Sequence, residues 1–344
     1  MIYSFTNDYS EGCHPNILRR LTETNLSQQP GYGNDEATLE SVAAIRALCR
    51  NPDIDVHLVA GGTLANLIVL SAFMKSYESV VAAETGHINN HEAGAIEATG
   101  HKIETVPTPD GKLTPALIQP LLNKFPEFHT VKPRMVYISN STEIGTIYTK
   151  QELTDLSVFC RQNNLLLFMD GARLAMALSA PSNDLTMADI AHLTDVFYLG
   201  ATKCGGLIGE AIVLANPALQ KDFKYYIKQR GALMAKGRLF GAQFAELLRD
   251  DLLFKLGKHA NELAQQMAAR FQELGYAFLT PAQTNQIFPI LPDTLIAELN
   301  KKYGFFVWRK TGEGMSAVRL ITSWATPQTE VDLFLKEVEQ LSRN

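Results

Sequence analysis

Lys203 stands in "YLGATKCGGLIGEAIVLA" (residues 198–215), a lone cation in a loop of small residues between two apolar runs. An amine confined there loses solvation and shifts toward its neutral, nucleophilic form, which is what a Schiff-base lysine requires. Most lysines, by contrast, are only solvated surface charges. "FMDGARL" (168–174) ends a second apolar run in Asp170, with Arg173 three residues on. Asp170 reads either as a turn cap or as a buried anion that holds a ring N–H or a cation. Arg173 reads either as half of a surface ion pair or as a fork for a carboxylate or phosphate. "GGTLAN" (61–66) sets Gly62 and Thr63 at a predicted helix N-terminus. Free backbone N–H groups and the positive end of the helix dipole accept an anion there, unless the motif is a plain helix cap. Its spacing is neither GxGxxG nor GxxxxGK[ST], which argues against a dinucleotide site or a P-loop.

These residues need a frame, and the surrounding pattern supplies one. "DVHLVA" (55–60), "SVVAAE" (79–84), "PRMVYISN" (133–140), "LLLFMD" (165–170), "TDVFYLGA" (194–201) and "EAIVLA" (210–215) read as strands. Helical stretches alternate with them at 63–76, 89–100 and 149–164. Continuously apolar strands separated by helices imply an α/β fold with a mostly parallel sheet covered on both faces. In such sheets chemistry gathers beyond the carboxyl ends of the strands. The polar residues at those ends are Gly62 and Thr63, Glu84 to His87, Asn140 to Glu143, Asp170 to Arg173, and Thr202 with Lys203. All fall on one edge, which favours a single site. From residue 258 the pattern changes to an amphipathic helix, shorter strands and a final amphipathic helix. The expected organisation is an N-terminal segment (1–45), a large domain (46–257) and a small C-terminal α+β domain (258–344).

The whole chain narrows the partners. At 46% hydrophobic and 19% charged residues the composition suits a packed globular core. A net charge of -5 argues against nucleic acid, whose binders carry a basic patch. No apolar run is long enough to span a bilayer, and "MIYSFTNDYSEG" lacks a signal-peptide pattern. Cys13, Cys49, Cys160 and Cys204 have no CxxC spacing, and the eight histidines form no metal motif. A cytoplasmic protein with reduced thiols and no metal is expected.

An anion cradle, a buried carboxylate and a desolvated lysine, in that order along a parallel sheet, are the parts a pyridoxal 5′-phosphate (PLP) enzyme needs. The cradle holds the phosphate, the carboxylate pairs with the ring nitrogen, and the lysine carries the cofactor. Together "TNDYSEG", "PGYGNDEAT", "GGTLANL", "TGHINNHEAGA", "MDGARL", "GATKCGG" and "AVRLITSW" resemble the threonine aldolase family of fold-type-I PLP enzymes, from residue 5 to about residue 325. The resemblance implies Lys203 as the Schiff-base lysine and Asp170 as the ring-nitrogen partner. It places Gly62 and Thr63 in the phosphate loop, with Thr202 as a further donor. His87 takes the place of the histidine stacked on the ring, able as a neutral imidazole to accept the substrate hydroxyl proton. His91 is an outer or surface residue. Arg173 and Arg319 match the arginines for the substrate carboxylate, with Asn7 a weaker contact and Tyr32 an active-site tyrosine. Arg238 matches a basic residue presented across a dimer interface to the cofactor phosphate. A homodimer or homotetramer with sites at subunit interfaces follows.

One departure stands out. Where the best-known aldolases carry a histidine, "NSTEIGT" places Thr142, with Glu143 beside it. Glu143 could act as a base through a water if burial raised its pKa, or the two residues could contact a different side chain or only shape the loop. The expected reaction is cleavage of a β-hydroxy-α-amino acid such as threonine, allo-threonine or phenylserine to glycine and an aldehyde. The alternatives are a PLP-dependent β-eliminating lyase or aminotransferase, and a cofactor-free sugar-phosphate or nucleotide binder.

Overall fold

A computed structural model describes residues 3–123 and 128–343. Its centre is a seven-stranded sheet of β1 (Asp55–Val59), β2 (Glu78–Ala83), β3 (Lys102–Val106), β4 (Lys132–Ser139), β5 (Leu166–Asp170), β6 (Val196–Gly200) and β7 (Glu210–Leu214). The spatial order is β1-β7-β6-β5-β4-β2-β3. Every pairing is parallel except those of β7, which runs antiparallel to both neighbours. This is the expected α/β architecture. Strands β2, β5, β6 and β7 are buried at every position. Alternate residues of each strand therefore feed two separate cores. Val81, Val136, Leu167, Phe197 and Val213 face one core. Val80, Tyr137, Phe168, Tyr198 and Ile212 face the other.

A second, smaller sheet contains β8 (Gln286–Ile287), β9 (Ile290–Pro292), β10 (Phe306–Gly312) and β11 (Met315–Ile321), with β11 paired to all three others. The helices Leu252–Glu273 and Gln328–Ser342 supply Met267, Phe271 and Phe334 to its core, with Leu320 from β11. The expected boundary at 257/258 falls inside the 22-residue helix Leu252–Glu273. Leu253 at its start packs into the large unit, and Leu263 to Phe271 pack into the small one. The chain's first residues also join the small unit: Tyr3–Ser4 pairs in parallel with Tyr303–Gly304, and Phe5 enters the same core. No described helix is long and apolar enough to cross a membrane.

Two local departures from the sequence reading have physical causes. The single helix expected over 89–100 is instead a short helix at His87–Asn90 and a 3₁₀ turn at Glu97–Thr99. Ala93 (φ 50°) and Gly94 (φ 74°) between them are left-handed, which an α-helix cannot accommodate. Strand β3 has no apolar run to mark it in the sequence, because it is an edge strand, exposed or half-buried at four of its five positions.

Candidate active site

The carboxyl ends of β2, β4, β5 and β6 meet the small unit around a cavity of about 510 Å³. Asn7, His87, Glu143, Arg173, Lys203 and Arg319 all line it. The register explains the convergence: Ser139 of β4 lies opposite Asp170 of β5, and Gly200 of β6 lies opposite Glu210 of β7.

Asp170 is 5% exposed and densely bonded. Its Oδ2 accepts from the Tyr137 hydroxyl at 2.5 Å and from Asn66 Nδ2 at 3.2 Å, and its Oδ1 accepts from the Ala172 amide at 3.0 Å. Burial pushes its pKa up. The His87 side chain and the Tyr137 and Tyr198 hydroxyls outweigh that, and the net shift is downward. Asp170 is thus a buried anion rather than a simple turn cap.

Lys203 has no hydrogen bond or ion pair among the described residues. Burial lowers its pKa and the neighbouring Arg173 lowers it further, against the opposing pull of Asp8, Asp170 and Glu210. Thr202 beside it is committed elsewhere. Its hydroxyl donates to Glu210 Oε1 at 2.8 Å and accepts from the Gly209 amide at 3.0 Å. That use competes with the expected role as a phosphate donor. Glu210 itself is 3% exposed, and burial raises its pKa to about 8.

His87 opens its short helix, and its Nδ1 lies 2.7 Å from Glu92 Oε1. Its backbone amide donates to Glu143 Oε1 at 2.9 Å, an oxygen that also accepts from Ser139 Oγ at 2.6 Å. Burial raises the Glu143 pKa, aided by Asp170 and opposed chiefly by the Ser139 hydroxyl. Arg173 is not a surface residue. Its Nε and Nη2 donate to the two carboxylate oxygens of fully buried Asp8 at 2.7 and 3.0 Å. Asn285 Nδ2 donates to the same carboxylate at 2.9 Å. Arg319 of β11 lines the same cavity as Arg173 and has no carboxylate partner among the described residues. Its guanidinium lies 5.0 Å from the Phe306 ring and 5.4 Å from the Trp308 ring, and its buried Nε is unbonded. Burial and Arg173 lower its pKa. Asn7 lines the cavity while its Oδ1 accepts from the Tyr9 amide.

Other expected residues lie elsewhere. Thr142 is fully buried, its hydroxyl shared with Thr146 at 2.7 Å, and it is outside the cavity wall. Its place is taken by Gln286, whose Nε2 donates to the Thr142 carbonyl and whose buried Oε1 is unbonded. Tyr32 is exposed, in a left-handed conformation, with Lys228 Nζ 4.7 Å from its ring centroid. Arg238 donates to the carbonyls of Asn25 and Ser27. Neither Tyr32 nor Arg238 borders the cavity of its own chain. Sequence reasoning did not single out Asp8, Asn66, Glu92, Gln286 or Glu210. The only available signal was their position beside the quoted motifs or at a predicted strand edge.

The residues fit pyridoxal phosphate. The helix Gly62–Phe73 starts without a side-chain cap, and a Cβ on Gly61 would meet nothing within 4 Å. A Cβ on Gly62 would come within 3.0 Å of the Tyr198 hydroxyl, so the helix start is held close to the Asp170 cluster. An uncapped N-terminus, a buried anion and an unpaired amine supply the three anchors that such a cofactor needs.

Comparison with known proteins agrees. Residues 14–293 match the family described as Beta-eliminating lyase. The low specificity L-threonine aldolase of Pseudomonas aeruginosa is 33% identical over 99% of this chain and 96% of its own. The structure of Leishmania major threonine aldolase is 49% identical, covers 99% of both chains and superposes with a TM-score of 0.97. An aromatic aminotransferase from Pyrococcus horikoshii shares the fold at 17% identity, with 99% and 96% coverage and a TM-score of 0.71. The chain belongs to the Beta-eliminating lyase family and is a pyridoxal phosphate-dependent lyase.

Proposed function

We propose that the protein cleaves the Cα–Cβ bond of a β-hydroxy-α-amino acid of the threonine type, giving glycine and an aldehyde. The observation that carries this reading is the placement of two guanidinium groups and a His–Glu pair around Lys203 in one cavity. Lys203 would anchor the cofactor, Asp170 would pair with its ring nitrogen, and the amides at Gly62 and Thr63 would hold its phosphate. Bound there, pyridoxal phosphate supplies a ring that delocalises the electron pair left on Cα.

The chain's own groups do the rest. Arg319, unpaired by any carboxylate, binds the substrate carboxylate together with the free Nη1 of Arg173. Asp8 holds Arg173 in one orientation, so that clamp is formed before substrate arrives. Fixing the carboxylate decides which bond at Cα is broken. His87 Nε2 takes the substrate hydroxyl proton. The O–H electron pair becomes the second bond of the aldehyde carbonyl as the Cα–Cβ bond breaks. Glu143 holds the His87 backbone in place by accepting from its amide.

Tyr32 and Arg238, remote from their own cavity, serve a second copy's site in a homodimer or homotetramer. Four free cysteines, three of them buried, support a cytoplasmic setting.

The test is aldehyde and glycine release from L-threonine, L-allo-threonine and phenylserine by the holoenzyme. Glycine and aldehyde in equal amounts are expected. No aldehyde from any of the three, with pyruvate formed from serine, would assign the site to β-elimination instead.

A further inference from the structure

The left-handed turn at Ala93–Gly94 drives Glu92 into the protein, where its side chain is fully buried. Two contacts of its own, and a third through Asn66, tie it to the site. Its Oε1 lies 2.7 Å from His87 Nδ1 and accepts from Asn66 Nδ2 at 2.7 Å. The same Asn66 nitrogen reaches Asp170 Oδ2 at 3.2 Å. Oε2 of Glu92 has no hydrogen-bond partner among the described residues. A carboxylate only accepts, and Oε1 has lone pairs for both the Asn66 amide and the His87 ring. Nδ1 must then be the donor. A neutral imidazole that donates from Nδ1 carries its lone pair on Nε2, the nitrogen at the opposite edge of the ring.

We propose that Glu92 is a positioning residue that fixes His87 as its Nδ1–H tautomer and, through Asn66, ties that ring to Asp170. The assignment rests on His87 acting as the proton acceptor of the cleavage reaction. One short network then sets both ends of the chemistry: the proton acceptor at His87 and the anion that faces the cofactor ring nitrogen. A shift of the Asn66 amide would disturb both at once.

The charges around His87 set the direction of the pH effect. Glu92 contacts it from its own loop, His91 lies with its ring centroid 5.5 Å away, Glu143 binds its amide from the end of β4, and Asp170 faces it from β5. Asn66 is the neutral member, from the helix Gly62–Phe73. Lys203, Arg173 and Arg319 share the cavity with both histidines and act on His91. Removing the Glu92 anion leaves fewer negative charges to hold a proton on the ring. The acid limb of the pH profile therefore moves to lower pH.

The experiment is a long-range proton–nitrogen NMR spectrum of holoenzyme labelled with ¹⁵N in its histidine rings, with His87 assigned by its loss in His87→Asn. The wild type is expected to show His87 protonated on Nδ1. Glu92→Gln should mix the two tautomers, move the acid limb of kcat/KM to lower pH and lower kcat by about 10-fold, part of the roughly 10²–10⁴-fold that a positioned base contributes. Glu92→Asp, which keeps the carboxylate, should retain the tautomer and the limb. A wild-type ring protonated on Nε2 would overturn the assignment, and that spectrum decides even if Glu92→Gln fails to fold. An unchanged tautomer and limb in folded Glu92→Gln would overturn it too. Absence of threonine cleavage would remove the reaction reading but leave the tautomer spectrum as it is.

Discussion

Replacing Asp8 by Asn tests the clamp directly. The substitution keeps the shape and removes the charge that pairs with both Nε and Nη2 of Arg173. Asp8 is fully buried and the Arg173 side chain is only 12% exposed, so solvent cannot compensate. Breaking a buried pair from one side costs about 3–5 kcal/mol. An unfolding entropy of about 2.1 cal/mol/K per residue gives about 0.7 kcal/mol/K for this chain. A loss of about 3 kcal/mol then lowers the melting temperature by about 4 °C. Arg173 is also left uncompensated beside Lys203 and Arg319, free to swing out of line. A charged hydrogen bond lost from the substrate carboxylate is worth about 1.5 kcal/mol or more, so KM should rise about 10-fold. Burial pushes the Asp8 pKa up, but Arg173, Lys203 and Asn285 bring it below the ordinary carboxylate value. The pair's contribution is therefore complete at neutral pH and is lost as the pH falls through that lowered value. Calorimetry of both proteins at neutral and acid pH, with steady-state kinetics on threonine, measures all of this. A variant that melts within a degree of wild type with KM within 2-fold would refute Asp8 as the holder of Arg173.

Three more perturbations follow from the same geometry. Glu210→Gln should flatten the pH dependence of stability. With its pKa raised from 4.5 to about 8 by burial, the folded chain holds an extra proton in that window, so wild-type stability falls as pH rises through it. Urea midpoints of the apoprotein from pH 5 to 9 measure the slope, and an equal slope in the variant contradicts the buried acid. Thr142→His should not restore a substrate contact. Thr142 is fully buried and a Cβ on Gly111 would lie 3.0 Å from its hydroxyl, so the larger ring overpacks the loop at about 1–3 kcal/mol, read as a lower melting temperature. Trp308→Ala removes one of the two rings flanking Arg319. KM should rise about 5-fold, the equivalent of about 1 kcal/mol, with kcat little changed; an unaltered KM would show that Phe306 alone holds the guanidinium.

Much of the site is legible in sequence because parallel sheets place strand ends on one edge. Asp170, Lys203, His87 and Glu143 each follow an apolar run or its turn, and the structure gathers them in one region. The partners of these residues were not legible. Asp8 and Arg173 are 165 residues apart, and nothing local in "TNDYS" names its partner. Tyr137 and Tyr198 sit inside apolar runs and read as core. Only the register, which places Phe168 and Asp170 on the same face as Tyr137, shows that their hydroxyls meet a carboxylate. Glu92 was hidden by a wrong helix. A continuous helix over 89–100 would have sent it to an arbitrary face, whereas the left-handed Ala93–Gly94 turn sends it inward. Thr142 shows the converse: its place in the sequence suggested a substrate contact, but its hydroxyl is taken up by Thr146 and Gln286 of the small unit lines the cavity instead.

The pairing of Tyr3–Ser4 with Tyr303–Gly304 bears on how the protein is made. Translation delivers the first strand long before its partner, and the large sheet can form while that segment waits on the ribosome. Docking of that strand brings Asp8, four residues on, toward Arg173, and the clamp's other guanidinium, Arg319 of β11, lies later still in the chain. The substrate clamp is therefore among the last features to assemble. A nascent chain that stalls inside the small unit would carry a nearly finished sheet with Lys203 in place and no ordered site for a carboxylate.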